Sequence, residues 1–228
     1  MSKQAKMVGD LSDWSGKIRE LFRQLGEGSI TDDQLQLFLN HQKPFPEPKD
    51  IREEWQQFYW KYFRIRVDFS DVTIPENPGG FDRLIFIAKG LTYRQVIMAM
   101  RKHFKVYLYT EDLDGDITSI RNTDASYAVR FRDRVEADEE FKNLSADQLE
   151  EQGVVGITLL ERLILGFKYW SETGKHLDIQ NWTLCAGSRG SDGSVPCVYW
   201  RSVFSRLFVG WSRPGYCYGK LRMRQAVS

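Results

Sequence analysis

The chain has 228 residues, 42% of them hydrophobic and 14% aromatic. That is enough for one large domain, or for a domain of about 150–160 residues with an extension. With 32 basic and 31 acidic side chains the net charge is +1, which excludes a long-range field for nucleic acid or acidic lipid and leaves room only for a local basic patch. No run in MSKQAKMVGDLSDW is apolar enough for a signal peptide, and Glu161 and Arg162 interrupt VVGITLLERLILGF, so neither export nor a membrane span is expected and the cytoplasm is the default location.

The first 63 residues read as a helical N-terminal region. GKIRELFRQLG fits a short amphipathic helix ended by Gly26, and Thr31 with Gln34 forms a capping box that opens TDDQLQLFLNH. KPFPEPK (43–49) is a Pro-rich connector. DIREEWQQFYWKYF then places Ile51, Trp55, Phe58 and Tyr62 on one helical face, an aromatic stripe suited to docking the helical region on the domain behind it.

Residues 64–228 change pattern. RIRVDF alternates like a strand, and FDRLIFIA comes after the turn cluster IPENPGG as a compact apolar strand. TYRQVIMAMRKHF reads as a helix, KVYLYT as a strand, EDLDGDITSIRNTDA as a polar loop and SYAVRFRD as another strand. A long helical region is expected next, from VEADEEFKNLSADQLEEQG into the buried ITLLERLILGFKYWSETG, stopped by Gly174. NWTLCAG, VPCVYW, RLFVGW and KLRMRQAV are four short strands, and AGSRGSDGS (186–194) is a loop between two of them. Helical arm, mixed middle and all-strand end make the chain α+β.

Few catalytic or metal patterns survive inspection. DLDGD (112–116) departs from a calcium loop, since Ile117 and Thr123 stand where a glycine and a glutamate are required. TGKH (173–176) lacks the first glycine of a phosphate loop. Cys185, His176 and Asp178 are the right types for nucleophilic catalysis, but three histidines and three cysteines in a chain of this length produce such a trio by coincidence. Asp138, Glu139 and Glu140 read as a wet helix face. Three cysteines, Cys185, Cys197 and Cys217, are odd in number and match no zinc spacing, so free thiols are expected, with no metal, cofactor or enzymatic activity.

The last 34 residues, VPCVYWRSVFSRLFVGWSRPGYCYGKLRMRQAVS, combine regular and irregular stretches. In RLFVGW, Leu207, Val209 and Trp211 fall on one face and Phe208 and Gly210 on the other; in LRMRQAV, Leu221, Met223, Gln225 and Val227 oppose Arg222, Arg224 and Ala226. RSVFSR (201–206) and SRPGYCYG (212–219) do not alternate. Their Tyr, Ser, Gly and Arg content matches that of antibody contact loops, where Tyr anchors, Ser and Gly adapt, and Arg reaches polar groups. All fourteen residues of the two windows can be encoded by codons ending in a pyrimidine.

GKHLDIQNWTLCAGSRGSDGSVPCVYW, the run LSADQLEEQGVVGITLLERLILGFKYWSETG and the closing LR-x-R-x-AVS resemble a bacterial protein family of unassigned function whose members differ between the framework tryptophans. The arrangement is similar to the variable proteins of diversity-generating retroelements. The resemblance implies a C-type-lectin-like domain over 64–228, with a small antiparallel C-terminal sheet and a variable segment at 195–228. It also implies rewriting of pyrimidine-ended asparagine codons, while the calcium signatures of sugar-binding lectins are absent. The expected function is non-enzymatic recognition of a protein or other macromolecular ligand. The expected contact residues are Tyr199, Arg201, Ser202, Val203, Phe204, Ser205, Arg206, Ser212, Arg213, Gly215, Tyr216, Cys217, Tyr218 and Gly219. The alternative is a nucleic-acid-associated factor that uses arginines, including Arg222 and Arg224, and aromatic residues of the C-terminal strands.

Overall fold

A computed structural model describes residues 11–41 and 50–228, and the Pro-rich connector expected at 43–49 lies outside them. The chain divides into two units, Met1–Asp50 and Ile51–Ser228. The first contains helix α1 (Leu11–Gly26), whose Trp14, Ile18 and Phe22 recur every four residues and are exposed, and helix α2 (Asp32–Leu39). The expected capping box is formed: the Thr31 N–H donates to Gln34 Oε1 at 2.9 Å and the Gln34 N–H returns to Thr31 Oγ1 at 3.3 Å.

Helix α3 (Ile51–Phe63) opens the second unit, so the break falls before this helix and not at residue 63, where the change of sequence pattern puts it. Its aromatic stripe is core: Trp55, Phe58 and Tyr59 are buried, and the Tyr59 hydroxyl donates to Phe86 O and accepts from the Ala88 N–H. Strands β1 (Arg83–Ile87) and β4 (Tyr127–Phe131) pair antiparallel beside them. Helix α4 (Tyr93–Arg101) and the long helix α7 (Leu159–Thr173) complete this layer. Capping boxes at Thr92/Gln95, Ser145/Gln148 and Thr158/Glu161 start α4, the short helix α6 (Ala146–Glu151) and α7. Gly174 ends α7 in the left-handed conformation at φ 69°.

The molecule is α+β. Its largest sheet has strand order β2 (Lys105–Leu108), β8 (Arg206–Ser212), β7 (Val195–Arg201), β5 (Trp182–Leu184) and β9 (Leu221–Met223). The middle is antiparallel, but β2 pairs parallel to β8 and β9 parallel to β5, so the sheet is mixed and not the antiparallel one expected. Both outer strands arrive through connections that leave the sheet and return, and such connections permit parallel pairing. One face of the sheet meets the main core through Val198, Leu207 and Val209. The other carries a second cluster of Leu184, Cys197, Tyr199, Phe208, Leu221 and Met223 under Ala146 and Leu149 of α6. The two faces read from RLFVGW and LRMRQAV are the two faces observed.

Other expectations give way to tertiary contacts. RIRVDF alternates without a partner strand: Ile65 and Val67 pack on the core while Arg64 and Arg66 lie over the Trp60 ring. The polar loop at 111–125 contains a helical turn, α5 (Leu113–Asp116), and strand β3 (Ile117–Ser119), which pairs with β6 (Ser188–Gly190) inside the expected loop 186–194. Just before β6, Gly187 permits close approach to the backbone that leads into α7, because a Cβ there would lie 2.7 Å from Gly156 O. The long helical region before α7 reduces to a 3-10 turn at Glu139–Phe141 and to α6. Its acids are claimed elsewhere. Glu136 accepts the N–H groups of Ile179, Gln180 and Asn181, and buried Asp138 accepts from Arg132 and from the Gln225 N–H. Glu139 pairs with Arg222, and Glu140 with Arg134.

One buried ion cluster ties the frame together. Asp178, fully buried, lies 2.7 Å from both Arg162 Nη2 and Arg224 Nη2 and accepts a hydrogen bond from the Thr183 hydroxyl. Arg162 Nε also donates to it at 2.9 Å, so the Nη2 approach acts as charge pairing and not as a further directed bond. Arg224 also donates to the carbonyls of Arg134 and Val135, 2.9 Å each, and from Nε to Thr183 Oγ1 at 3.2 Å. Burial pushes the Asp178 carboxyl up, but Arg224, Arg162 and Thr183 outweigh it and leave its pKa below the usual carboxylate range.

Candidate ligand-binding face

The first window closes the β7–β8 hairpin. The strands pair from Val195↔Ser212 to Arg201↔Arg206, and Ser202–Phe204 form a 3-10 turn. Ser205 leaves the turn at φ 45°, in the left-handed region, with its N–H donating to Ser202 O at 3.1 Å. Arg201, Ser202, Val203, Phe204 and Ser205 are exposed, Val203 to 92%, and Arg206 is half-buried.

The second window runs between β8 and β9. Arg213, Gly215, Tyr216, Cys217, Tyr218 and Gly219 are exposed. Backbone bonds shape the loop, from the Tyr216 N–H to Arg213 O at 3.0 Å and from the Leu221 N–H to Tyr218 O at 2.8 Å. It rests on the start of α6, where the Asp147 N–H donates to Pro214 O and Cys217 Sγ lies 3.4 Å from Gln148 Oε1.

Two expected contact residues are not surface. Tyr199 is 6% and Ser212 8% exposed, because each is a strand position whose side chain the second cluster or its neighbours cover. Burial pushes the Tyr199 phenol up to about 12. Tyr199 is instead the middle of a row of rings. Phe208 stacks on it at 5.4 Å and 4°, and Trp182 stacks on its other side at 4.4 Å and 16°. Phe204 lies 6.2 Å from Phe208, Tyr218 lies 5.3 Å from Trp182, and Tyr216 lies 6.3 Å from Tyr218. Six rings thus run from one window to the other over a floor of frame residues.

Strand β2 extends the face beyond what the sequence pointed to. Tyr107 is 5.3 Å from Phe208, and Tyr109 is 5.1 Å from Tyr107. Gly210 allows that approach, since a Cβ there would sit 3.3 Å from the Tyr109 ring. The parallel register sets Lys105 beside Arg206, which faces Arg201. The signal was present, because Lys105, Tyr107 and Tyr109 alternate on one side of KVYLYT. Its partner strand was not legible. Beside the second window, a cavity of about 290 Å³ is lined by Trp182, Cys197, Trp211, Ser212, Arg213, Tyr216 and Leu221.

The remaining sequence candidates have structural employment. Arg222 and Arg224 are buried and paired with Glu139 and Asp178, so neither is available to nucleic acid. His176 stacks on Trp200 with centroids 3.4 Å apart, and burial, aided by the Arg162 charge, pushes its pKa down to about 4. Cys185 is buried, which raises its thiol well above the ordinary value and opposes a thiolate. In the acidic turn, Asp112 caps Gly115, and Asp114 accepts the N–H groups of Tyr93 and Arg94 at the start of α4. Among the described residues no group of His, Cys, Asp or Glu is gathered as for a metal ion, and no helix is long and apolar enough to cross a membrane.

No family model, curated protein or solved structure matches the chain.

Proposed function

We propose that the protein is a non-enzymatic recognition molecule whose two closing windows form one replaceable contact surface on a C-type-lectin-like frame, as in the variable proteins of diversity-generating retroelements. The observation that carries this is the row of rings from Phe204 to Tyr216. Its outer members come from the windows and are about half exposed, whereas Phe208, Tyr199 and Trp182 beneath them belong to paired strands. Such a floor holds contact residues in place before binding and so limits the ordering cost of association. None of residues 201–206 or 212–219 contributes to either hydrophobic cluster, so the exposed positions are free to vary without opening the core.

The test is a library in which residues 201–206 and 213–219 are drawn together from pyrimidine-ended codons, scored for cooperative unfolding and for binding to one arbitrary protein, streptavidin. Surface substitutions are each worth about 0.5 kcal/mol or less, so most members are expected to stay folded, and rare ones to bind. Loss of folding in most members overturns the proposal. A neighbouring reverse-transcriptase gene, and sister copies that differ mainly in the windows, are the corresponding genomic expectation.

A further inference from the structure

The near-neutral chain divides its charge unevenly. Its last 34 residues contain no aspartate or glutamate and six of the 32 basic side chains, which leaves 26 basic against 31 acidic residues in the first 194. Arg222 and Arg224 are neutralised inside the frame. Arg201, Arg206, Arg213 and Lys220 are not: none takes part in an ion pair among the described residues, and Lys105 beside Arg206 is likewise unpaired. Arg201 lies over the Phe204 and Phe208 rings at 5.4 and 5.8 Å, which holds its guanidinium at the surface without discharging it. One acid lies beside the second window: Asp147 Oδ2 is 3.3 Å from where a Cβ on Gly215 would sit.

Positive charge alone suits an acidic protein or a nucleic acid, and the covered floor of the face favours the first. A base needs a free ring face on which to stack. The faces of Tyr199 are covered by Phe208 and Trp182, nearly parallel on either side. Phe208 is covered again by Phe204 and Tyr107, and Trp182 by Tyr218. The floor thus offers no free face on Tyr199, and the open arginines are left to bind carboxylate oxygens.

We infer that the ligand of this protein is a polypeptide surface rich in aspartate and glutamate, seated across the two windows with its carboxylates on Arg201, Arg206 and Arg213. This rests on the recognition function proposed above. The test pans a phage-displayed random 12-residue peptide library against the whole protein, and separately measures anisotropy of a labelled 20-residue oligouridylate. Selected peptides are expected to be enriched at least twofold in Asp and Glu, to bind several-fold more weakly at 0.5 M salt, and to bind tighter than the RNA. The R201E/R213E variant, at two exposed positions and checked for an unchanged melting transition, is expected to lose them at least tenfold. K105E on β2 provides a second reversal outside the windows, with a smaller loss. Selection of peptides without acidic bias, selection of none, tighter RNA binding, or indifference to both reversals overturns the inference. The streptavidin library separates the two claims, because it can succeed when the acidic preference fails.

Discussion

Arg201 and Arg224 stand 23 positions apart in the closing segment and have opposite fates. Arg224 is 1% exposed, with its guanidinium shared between Asp178 and two backbone carbonyls. Arg201 is exposed, rests on two rings and meets no carboxylate. The same side chain holds the frame in one place and faces solvent in the other. The difference is supplied by neighbours distant in sequence. Asp178 and the 134–135 backbone come to Arg224, whereas only aromatic rings come to Arg201. Charge in this molecule is therefore structural where it is sealed and paired, and open to solvent where it rests on rings alone.

The sharpest way to break that contrast is to remove the buried carboxylate. D178A leaves Arg162 and Arg224 charged and uncompensated, and the expected loss is about 3–5 kcal/mol, read by chemical denaturation. A loss below about 1 kcal/mol would mean that the cluster does not hold the sheet. Next comes the floor against its rim. Y199A removes a ring stacked on both sides and is expected to cost about 3 kcal/mol, whereas Y216A, at the exposed end of the same row, is expected to stay within about 0.5 kcal/mol. Equal costs would erase the distinction between frame and window.

The smallest effect is a pH dependence. His176 has a folded pKa of about 4 against an ordinary 6.5, so the unfolded chain binds its proton first. Its contribution is complete above pH 6.5 and declines as the pH falls towards 4. In H176F, which retains a ring against Trp200, this part of the decline should be missing, and subtracting the two stability profiles cancels every other titrating group. Asp178 acts lower down: its depressed pKa places the stability it confers above the usual carboxylate range, lost on further acidification.

Much of the fold was legible because periodicity reports on faces. Leu207, Val209 and Trp211 against Phe208 is a period of two that the pleat enforces. Thr31 with Gln34 declares a helix start through two local bonds, and the same pattern at Thr92, Ser145 and Thr158 was equally readable. What periodicity lacks is the identity of the partner. RIRVDF alternates yet finds no neighbouring strand, while Ser188–Gly190, with no apolar period at all, finds β3. The acids at 136–140 look like a solvated helix only until Arg132, Arg222 and the 179–181 backbone are brought to them. The exposed windows were legible from composition. Tyr199 was not, since nothing local distinguishes a tyrosine in the floor from one at the rim.

The position of Arg222, Arg224 and the bridge from Val227 to Arg130 beyond the second window has a bearing on biogenesis. A frameshift or stop codon arising inside either window deletes strand β9, Arg224 and the bridge to Arg130, so the shortened product leaves β5 with one neighbour strand and buried Asp178 with one of its two arginines. The closing residues thus act as a clamp on the frame, and a chain cut before them is expected to be less stable than the full chain.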